Sequence, residues 1–268
     1  MIKIIFLIFI FFFFQGISRC EPQVLRSIEF TNQRPLVKGC NVPSFPSDNR
    51  LEWFCYKVRS EEALNKLLGG YLEAVLRFNR IDRMHALQGA MLKIPLNLEK
   101  LSNFSPLPNE LERAKNFSRY VFIDISEQFL GAYEFGKLKF SMPITSGRGS
   151  STPRGLFKVL GRDRWHRSHR YTITGTNIPY PMYWGIKFHS VAGKNFWIHS
   201  RDLPGHPHPA SHGCIDLYDE EMQKRFYGYP KEPLLMDSKK FYLWIFPDRG
   251  EKPFYYPEGL PDVLIEIK

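Results

Sequence analysis

The sequence predicts a mainly β fold, in which a β-sandwich or barrel-like domain follows a small βααβ domain. From Tyr120 onward, short β-type runs recur at near-regular spacing and are separated by glycine and proline, which is typical of sandwiches and barrels. Leucines at helical spacing occur upstream, in two short segments after Ser60. The 268 residues, 43% of them hydrophobic, suffice for one medium domain and one small domain.

Residues 1–18 have the composition of a secretory signal peptide. Lys3 supplies the charged start, an apolar run extends over 4–14, and the small residues Gly16 and Ser18 predict cleavage after position 18. This run is too short to span a bilayer. We therefore expect an exported protein of the periplasm or cell envelope, without a transmembrane span in its mature chain. An arginine precedes Cys20, where lipidation would need a small residue.

Residues 19–50 are rich in proline, asparagine and serine and predict an extended segment. The formal net charge of the chain is +10, and it becomes +9 when Lys3 is removed. We expect no nucleic-acid partner, because no dense basic tract alternates with aromatic residues and an exported protein seldom meets nucleic acid. A basic surface suits an anionic envelope polymer, and a merely basic surface explains the charge equally well.

The small domain is predicted over residues 51–97. A short strand ends near Val58, and a helix capped by Ser60 follows it. Gly69-Gly70 separates that helix from a second one, and a closing strand ends at Ile94. This order resembles the LysM module, through Val58, Leu64, Asn79, Gly89 and Ile94-Pro95. The resemblance implies binding of glycan strands; the alternative is a packing module that only positions its neighbour.

Residues 98–116 contain two prolines and are predicted to form a linker to a main domain over 117–247. The first strands of that domain are predicted at three runs, 121–125, 130–135 and 138–143. A helix is predicted after the last β-type run, with Asp219 as its cap and Gly228 at its end. Residues 248–268 are rich in proline and are predicted to form a tail packed on the surface.

The clearest chemistry lies in Ser211-His212-Gly213-Cys214 and in the upstream pair His199-Ser200. A cysteine attacks a carbonyl carbon only as its thiolate, so it needs a nearby base. His199 lies on an apolar β-type run that would fix its ring. The backbone carbonyl of Ser200 would hold the imidazole tautomer whose other nitrogen faces the sulfur. The sequence therefore predicts a cysteine nucleophile beside a histidine base.

These residues resemble the signature of the L,D-transpeptidases (YkuD-like catalytic domain), cysteine enzymes that remodel bacterial peptidoglycan. Residues 142–147 and 151–157 resemble the upstream strand and "TP-x-G" turn of that family, and 179–185 resemble the segment before the histidine strand. The likeness extends over roughly 117–247. Asp216 departs from it, since Arg or Asn commonly stands there.

The resemblance implies a role for each site residue. Cys214 attacks a tetrapeptide stem, His199 takes the thiol proton to give a thiolate–imidazolium pair, and D-Ala leaves. The thioester then passes to an amine acceptor. Backbone N–H groups around His212, Gly213 and Cys214 stabilise the oxyanion, and the His212 side chain acts in support of catalysis or contacts substrate. The candidate substrate contacts are Ser211, Arg148, Arg154, Tyr183, Trp184 and Asp216. For the two arginines the alternative is a solvated surface, and for Tyr183 and Trp184 it is the core.

The cysteines allow more than one arrangement. In an oxidising compartment Cys40 and Cys55 are close enough in sequence to pair, which leaves Cys214 free and Cys20 unassigned. A structural disulfide at Cys214 is the alternative. Another rival is a zinc site made of His206, His208, His212 and Cys214. Prolines stiffen that loop, and we expect no metal and no cofactor.

Other functions remain open beside the transpeptidase. Water as the acceptor makes the protein an L,D-carboxypeptidase, and the same chemistry serves enzymes that attach or release envelope proteins. A peptidoglycan-binding protein without catalysis is favoured by Asp216 and by the atypical start of the first LysM-like helix. A general thiol protease is the third class.

Overall fold

The computed structural model describes residues 40, 42–102, 104–173, 175–201, 208–247 and 261–268. The predicted signal peptide, most of the extended segment, Cys20 and His206 lie outside these residues. Within them lie four α-helices and thirteen β-strands: β1 (Trp53–Lys57), α1 (Glu61–Leu68), α2 (Leu72–Asn79), β2 (Met91–Pro95), β3 (Tyr120–Asp124), β4 (Phe129–Glu134), β5 (Lys137–Thr145), β6 (Gly155–Lys158), β7 (Gly161–Asp163), β8 (Arg167–Thr172), β9 (Pro179–Pro181), β10 (Gly185–Val191), β11 (Lys194–Arg201), β12 (Ile215–Tyr218), α3 (Glu220–Tyr227), α4 (Asp237–Ile245) and β13 (Leu264–Ile267).

Nine of these strands form one curled sheet in the order β6-β13-β3-β4-β5-β12-β11-β10-β7. Most neighbours are antiparallel, while β11–β12 and β13–β3 are parallel. β8 and β9 form a separate hairpin. The prediction of a mainly β fold is confirmed. Across the described segments, no helix has the length and apolar character that a membrane crossing requires.

The core of the main domain lies between the sheet and the helices that follow the cysteine. Ile198 and Ile215 of the two central strands are fully buried there, with Phe241 and Ile245 of α4. α3 is capped at its start by Asp219, whose carboxylate accepts a hydrogen bond from the backbone of Met222 at 3.0 Å, and at its end by a left-handed Gly228. This helix therefore starts directly behind the strand that carries the cysteine loop.

The small domain has the strand-helix-helix-strand order. β1 and β2 pair antiparallel, and the Ser60 side chain caps α1 by accepting a hydrogen bond from Ala63 N at 3.1 Å. A disulfide joins Cys40 to Cys55 of β1, with the Cα atoms 5.5 Å apart. Membership of the LysM family stays a prediction.

Polar contacts fix the small domain to the back of the main domain. The Tyr218 hydroxyl donates a hydrogen bond to the backbone carbonyl of Arg80. Arg77 binds both carboxylate oxygens of Asp237, at 2.9 and 2.6 Å, and Gln223 donates to Asp82 at 2.7 Å. Because Tyr218 lies on β12, the small domain contacts the strand that follows the cysteine.

Two predicted boundaries need correction. Residues 98–116 are not a free linker, because Leu107, Leu111 and Ala114 pack into a hydrophobic cluster with Tyr120 of β3. The prediction of a surface tail over 248–268 is wrong for its last residues. β13 lies inside the sheet, parallel to β3 and antiparallel to β6. Residues 263–267, which are apolar except for Glu266, favour a buried strand, and the prolines before them obscured that pattern. The main domain therefore extends to Lys268.

Candidate active site

Two parallel strands bring the site together. β11 and β12 pair in a register that places His199 opposite Asp216. Cys214 comes directly before β12, two residues before Asp216, so the alternation of side chains directs both toward the same face. A hydrogen bond from the Trp197 backbone to the Cys214 sulfur agrees with this placement. Cys214, directly before β12, and His199, on the adjacent strand β11, therefore face the same side of the sheet.

His199 is buried, with 4% of its surface exposed. Its Nδ1 lies 2.6 Å from the carbonyl oxygen of Ser200, and because a carbonyl only accepts, Nδ1 carries a hydrogen. Nε2 lies 3.3 Å from Oδ1 of Asp216. Burial lowers the pKa of His199, although the Asp216 carboxylate and the Ser200 carbonyl act to raise it. The imidazole is therefore neutral near pH 7 and can accept a proton at Nε2.

Cys214 is the free cysteine among the described residues and is partly exposed. Burial raises the pKa of its thiol to about 12, and the nearby Asp216 carboxylate raises it further, while the Trp197 backbone and Lys194 act to lower it. The resting pair is therefore a thiol beside a neutral imidazole. Desolvation of both groups favours these neutral forms, and the thiolate–imidazolium pair that the resemblance implies on proton transfer stays a prediction.

The cysteine loop is braced by the turn after β5. Ser211 donates its backbone N–H to the Ser146 carbonyl at 3.0 Å, and its own carbonyl accepts from Arg148 N at 3.0 Å. Gly147 and Gly213 pack backbone to backbone, and a Cβ added to Gly147 would lie 2.7 Å from the Cα of Gly213. Only glycine allows this approach.

Thr152, the threonine of the "TP-x-G" pattern, connects the turn to the cysteine loop by hydrogen bonds. Its hydroxyl accepts a hydrogen bond from Gly147 N at 2.7 Å and donates one to the carbonyl of Gly213 at 3.1 Å. One buried side chain therefore ties the turn to the cysteine loop. The sequence alone indicates the motif but not this role of Thr152.

The Ser211 side chain organises the loop from within. It donates to the carbonyl of Cys214 at 2.6 Å and accepts from the N–H of Gly213 at 3.0 Å. The Gly213 N–H is therefore committed to the loop. The N–H groups of His212 and Cys214 are the candidate oxyanion donors that remain.

Two side chains that sequence reasoning missed contact His212. The exposed His212 ring stacks on Tyr171 of the β8–β9 hairpin, at 4.6 Å between centroids and 17° between planes. Lys194 donates to the His212 carbonyl at 2.8 Å. Neither residue belongs to a local motif, and only the folded sheet brings them to the loop.

The structure locates the predicted substrate contacts in different settings. Arg148 and Arg154 are exposed, and the Arg148 side chain lies 3.4 Å from the Ala210 carbonyl. Tyr183 and Trp184 lie in the core, 5% and 7% exposed. Asp216 is buried and faces His199 and Arg201. Contact of these residues with substrate stays a prediction. The alternative zinc site includes His206, which lies outside the described residues. Among the described residues, no three His, Cys, Asp or Glu side chains form a metal-binding group.

Residues 118–232 match the family model of YkuD, the L,D-transpeptidase catalytic domain. For these residues the match confirms the resemblance to the L,D-transpeptidase family that the motifs predicted. No curated protein matches the chain.

Solved structures similar to this chain include three bacterial L,D-transpeptidases. That of Stackebrandtia nassauensis is 20% identical, over 64% of this chain and 63% of its own, with a TM-score of 0.39. That of Xylanimonas cellulosilytica is 17% identical, over 73% and 96%, with a TM-score of 0.42. L,D-transpeptidase 1 of Mycobacterium tuberculosis is 15% identical, over 56% and 61%, with a TM-score of 0.35. The chain spans less than two thirds of the first and third of these.

Proposed function

We propose that the protein is a peptidoglycan L,D-transpeptidase in which Cys214 is the nucleophile and His199 the base. The observation that carries the proposal is a buried imidazole, oriented by the Ser200 carbonyl 2.6 Å away, on the strand next to the one that a free cysteine precedes. The match of residues 118–232 to the L,D-transpeptidase catalytic domain supports the choice of substrate class.

The acylation step follows from these groups. As the sulfur of Cys214 attacks the carbonyl carbon of the stem, its proton passes to Nε2 of His199, the S–C bond forms and the carbonyl electron pair moves onto oxygen. The N–H groups of His212 and Cys214 stabilise the resulting oxyanion. When the intermediate collapses, the C–N bond breaks, and His199 returns the proton to the amine of the departing D-Ala.

The thioester is then resolved by a second stem. An amine attacks the thioester carbonyl, gives its proton to His199, and releases the Cys214 thiol as the new amide forms. Water in place of the amine gives a shortened stem, which is the carboxypeptidase outcome. Nothing among the described residues favours water over an amine, so we propose the transferase, which the match to the catalytic domain supports.

An anionic substrate suits the rim of the site. The exposed cationic side chains around the cysteine loop and the adjoining hairpin are Arg148, Arg154, Arg167, Arg170 and Lys194. Peptide stems carry carboxylates, and several exposed cationic side chains attract such a substrate through a field that salt screens.

We also propose that the protein is exported and works in the periplasm or cell envelope. The Cys40–Cys55 disulfide supports this, because such bonds persist in oxidising compartments. Binding of glycan strands by the LysM-like domain is part of the same proposal, and the strand-helix-helix-strand order supports it.

Muropeptide mass analysis on defined sacculi tests the proposal. Wild-type protein should produce dimers linked between diamino acids, and Cys214→Ala should produce none. Shortened monomers without new dimers would instead establish the carboxypeptidase. If ordinary L-peptides are cleaved equally well, the protein is a general thiol protease.

A separate mass measurement addresses the non-catalytic alternative. A carbapenem-type β-lactam should form a covalent adduct at Cys214, because a nucleophilic thiol opens the lactam ring. Intact protein that forms no adduct and leaves sacculi unchanged is a binding protein with an inactive domain.

A further inference from the structure

We infer that Asp216, held in place by Arg201, is a positioning residue that stabilises the protonated form of His199 during the reaction. The inference rests on the proposed function, since it concerns the same site. It also changes the role that the sequence suggested for Asp216, which was contact with substrate.

His199 has two ring nitrogens that can carry a hydrogen. Both face hydrogen-bond acceptors: the Ser200 carbonyl at 2.6 Å from Nδ1 and Oδ1 of Asp216 at 3.3 Å from Nε2. A neutral imidazole has one hydrogen, and Nδ1 carries it. In the resting state the lone pair of Nε2 therefore faces a carboxylate oxygen, which is a poor interaction.

The interaction between Nε2 and Asp216 changes when the Cys214 proton reaches Nε2. The imidazolium then donates from both nitrogens, to Ser200 and to Asp216, and the poor interaction becomes a charge-assisted hydrogen bond. Asp216 therefore stabilises the protonated state more than the resting state. Only such a difference lowers the barrier.

Arg201 binds the carboxylate of Asp216. Its Nη1 lies 2.9 Å from Oδ2 of Asp216, so the two carboxylate oxygens of Asp216 are divided between Arg201 and His199. Asp216 and Arg201 are only 6% and 9% exposed. Arg201 follows His199 by two residues on β11, so both side chains lie on the same face of the sheet as Asp216. The guanidinium thus fixes the carboxylate and compensates its charge.

Other charged groups act on the same pair. Asp216, Arg201 and His166 act on His199, and Asp216 and Lys194 act on Cys214. His166 stacks on Trp197 at 4.0 Å and its Nδ1 lies 3.1 Å from Asp163. Asp216 is the carboxylate that acts on both reacting groups, raising the pKa of each. Its removal should therefore change both in a known direction.

The test compares Asp216→Asn with Asp237→Asn. Asp237 is a matched control, because it is a buried carboxylate paired with Arg77, and it contacts the small domain rather than the site. Asp216→Asn should lower kcat by about 10²-fold, the effect of a misplaced catalytic group, with little change in KM. Its acid limb should move to lower pH, and iodoacetamide should alkylate Cys214 faster at pH 8. Folded Asp237→Asn should show none of these changes.

Arg201→Gln gives a second, opposite prediction. The guanidinium acts to lower the pKa of His199, so its loss should move the acid limb to higher pH. Two results would overturn the inference. One is a raised KM with normal kcat and an unmoved pH profile in Asp216→Asn, which indicates a substrate contact. The other is a loss of stability with unchanged alkylation and pH profile, which indicates a structural ion pair.

Two readouts separate this inference from the proposed function. Alkylation of Cys214 and NMR titration of His199, assigned with His199→Gln, need no peptidoglycan. If wild-type protein forms no cross-links but both readouts shift in Asp216→Asn, the inference stands and the transpeptidase proposal fails. If cross-links form and neither readout shifts, the transpeptidase proposal stands and the inference fails.

Discussion

The molecule contains two clusters of buried ionisable side chains, and the charges of the two clusters are paired to different extents. The junction cluster consists of Asp48, Arg80, Lys93 and Glu127, and it connects the small domain to the main sheet. Arg80 is fully buried, and Nε, Nη1 and Nη2 each donate a hydrogen bond, to Asp48, Glu127 and neighbouring oxygens. Lys93 pairs with Asp48. Two cations therefore meet two carboxylates, with the guanidinium donors satisfied.

The proposed catalytic cluster of Cys214, His199, Asp216 and Arg201 is less completely paired. The Nε of Arg201 has no hydrogen-bond partner among the described residues. Burial shifts the pKa values of both Cys214 and His199 toward their neutral forms. Equal numbers of buried positive and negative charges hold the two domains in one arrangement. A desolvated thiol beside a desolvated imidazole can instead exchange a proton.

The largest effect should come from His199, the proposed base. His199→Gln keeps the size of the side chain but removes the proton acceptor, so kcat/KM should fall by about 10²- to 10⁴-fold. Unfolding midpoints in urea should change little, because no charge in the junction cluster is lost. Residual activity within threefold of wild type would show that another group takes the proton.

The junction cluster should respond in the opposite way. Arg80→Met leaves Asp48 and Glu127 buried without their partner, and breaking such a pair costs about 3–5 kcal/mol of unfolding free energy. Arg59→Met, at an exposed position, is the control and should cost little. Urea unfolding measures both. An equal, small loss in the two variants would mean that the junction is not a stability determinant.

A smaller effect is expected from the loop glycine. Gly213 has a φ of +125°, and a Cβ there would lie 2.8 Å from both the Phe196 ring and the Ser151 carbonyl. Gly213→Ala should therefore cost about 1–3 kcal/mol and reduce activity by displacing the loop. Gly193→Ala has a positive φ but no atom within 4 Å of its Cβ, so it should cost less and leave activity intact. Thermal unfolding and kcat/KM check the pair.

Thr152→Val removes one hydroxyl without changing the shape of the side chain. It leaves Gly147 N–H and the Gly213 carbonyl without their partner, which should cost about 1–3 kcal/mol. Thr152→Ser restores the hydroxyl and should recover most of the loss. Equal stability of the valine and serine variants would remove the bracing role of this side chain.

The smallest effect is a pH dependence. Burial lowers the pKa of His199 below its ordinary 6.5, and a base must be unprotonated to act. Activity should therefore persist as the pH falls through 6.5 and decline only below it. The thiol pKa of about 12 predicts no change from Cys214 ionisation between pH 7 and 9. A kcat/KM profile centred above pH 6.5 would contradict the buried, neutral histidine.

The sequence alone determined the features that depend on neighbouring residues. Ser60 and Asp219 cap helices, Gly228 ends one, and Ser200 directs its carbonyl to the adjacent histidine. Such contacts span a few residues, so local pattern specifies them. The mainly β fold also followed from the spacing of strands and turns.

Only the tertiary structure decided the rest. It turned Asp216 inward toward His199, placed Tyr171 and Lys194 against the cysteine loop, and put residues 264–267 inside the sheet. Each of these depends on which strands pair and in which register. One sequence does not specify pairing between segments a hundred residues apart, because many pairings bury similar apolar surface and only the complete packed sheet selects among them.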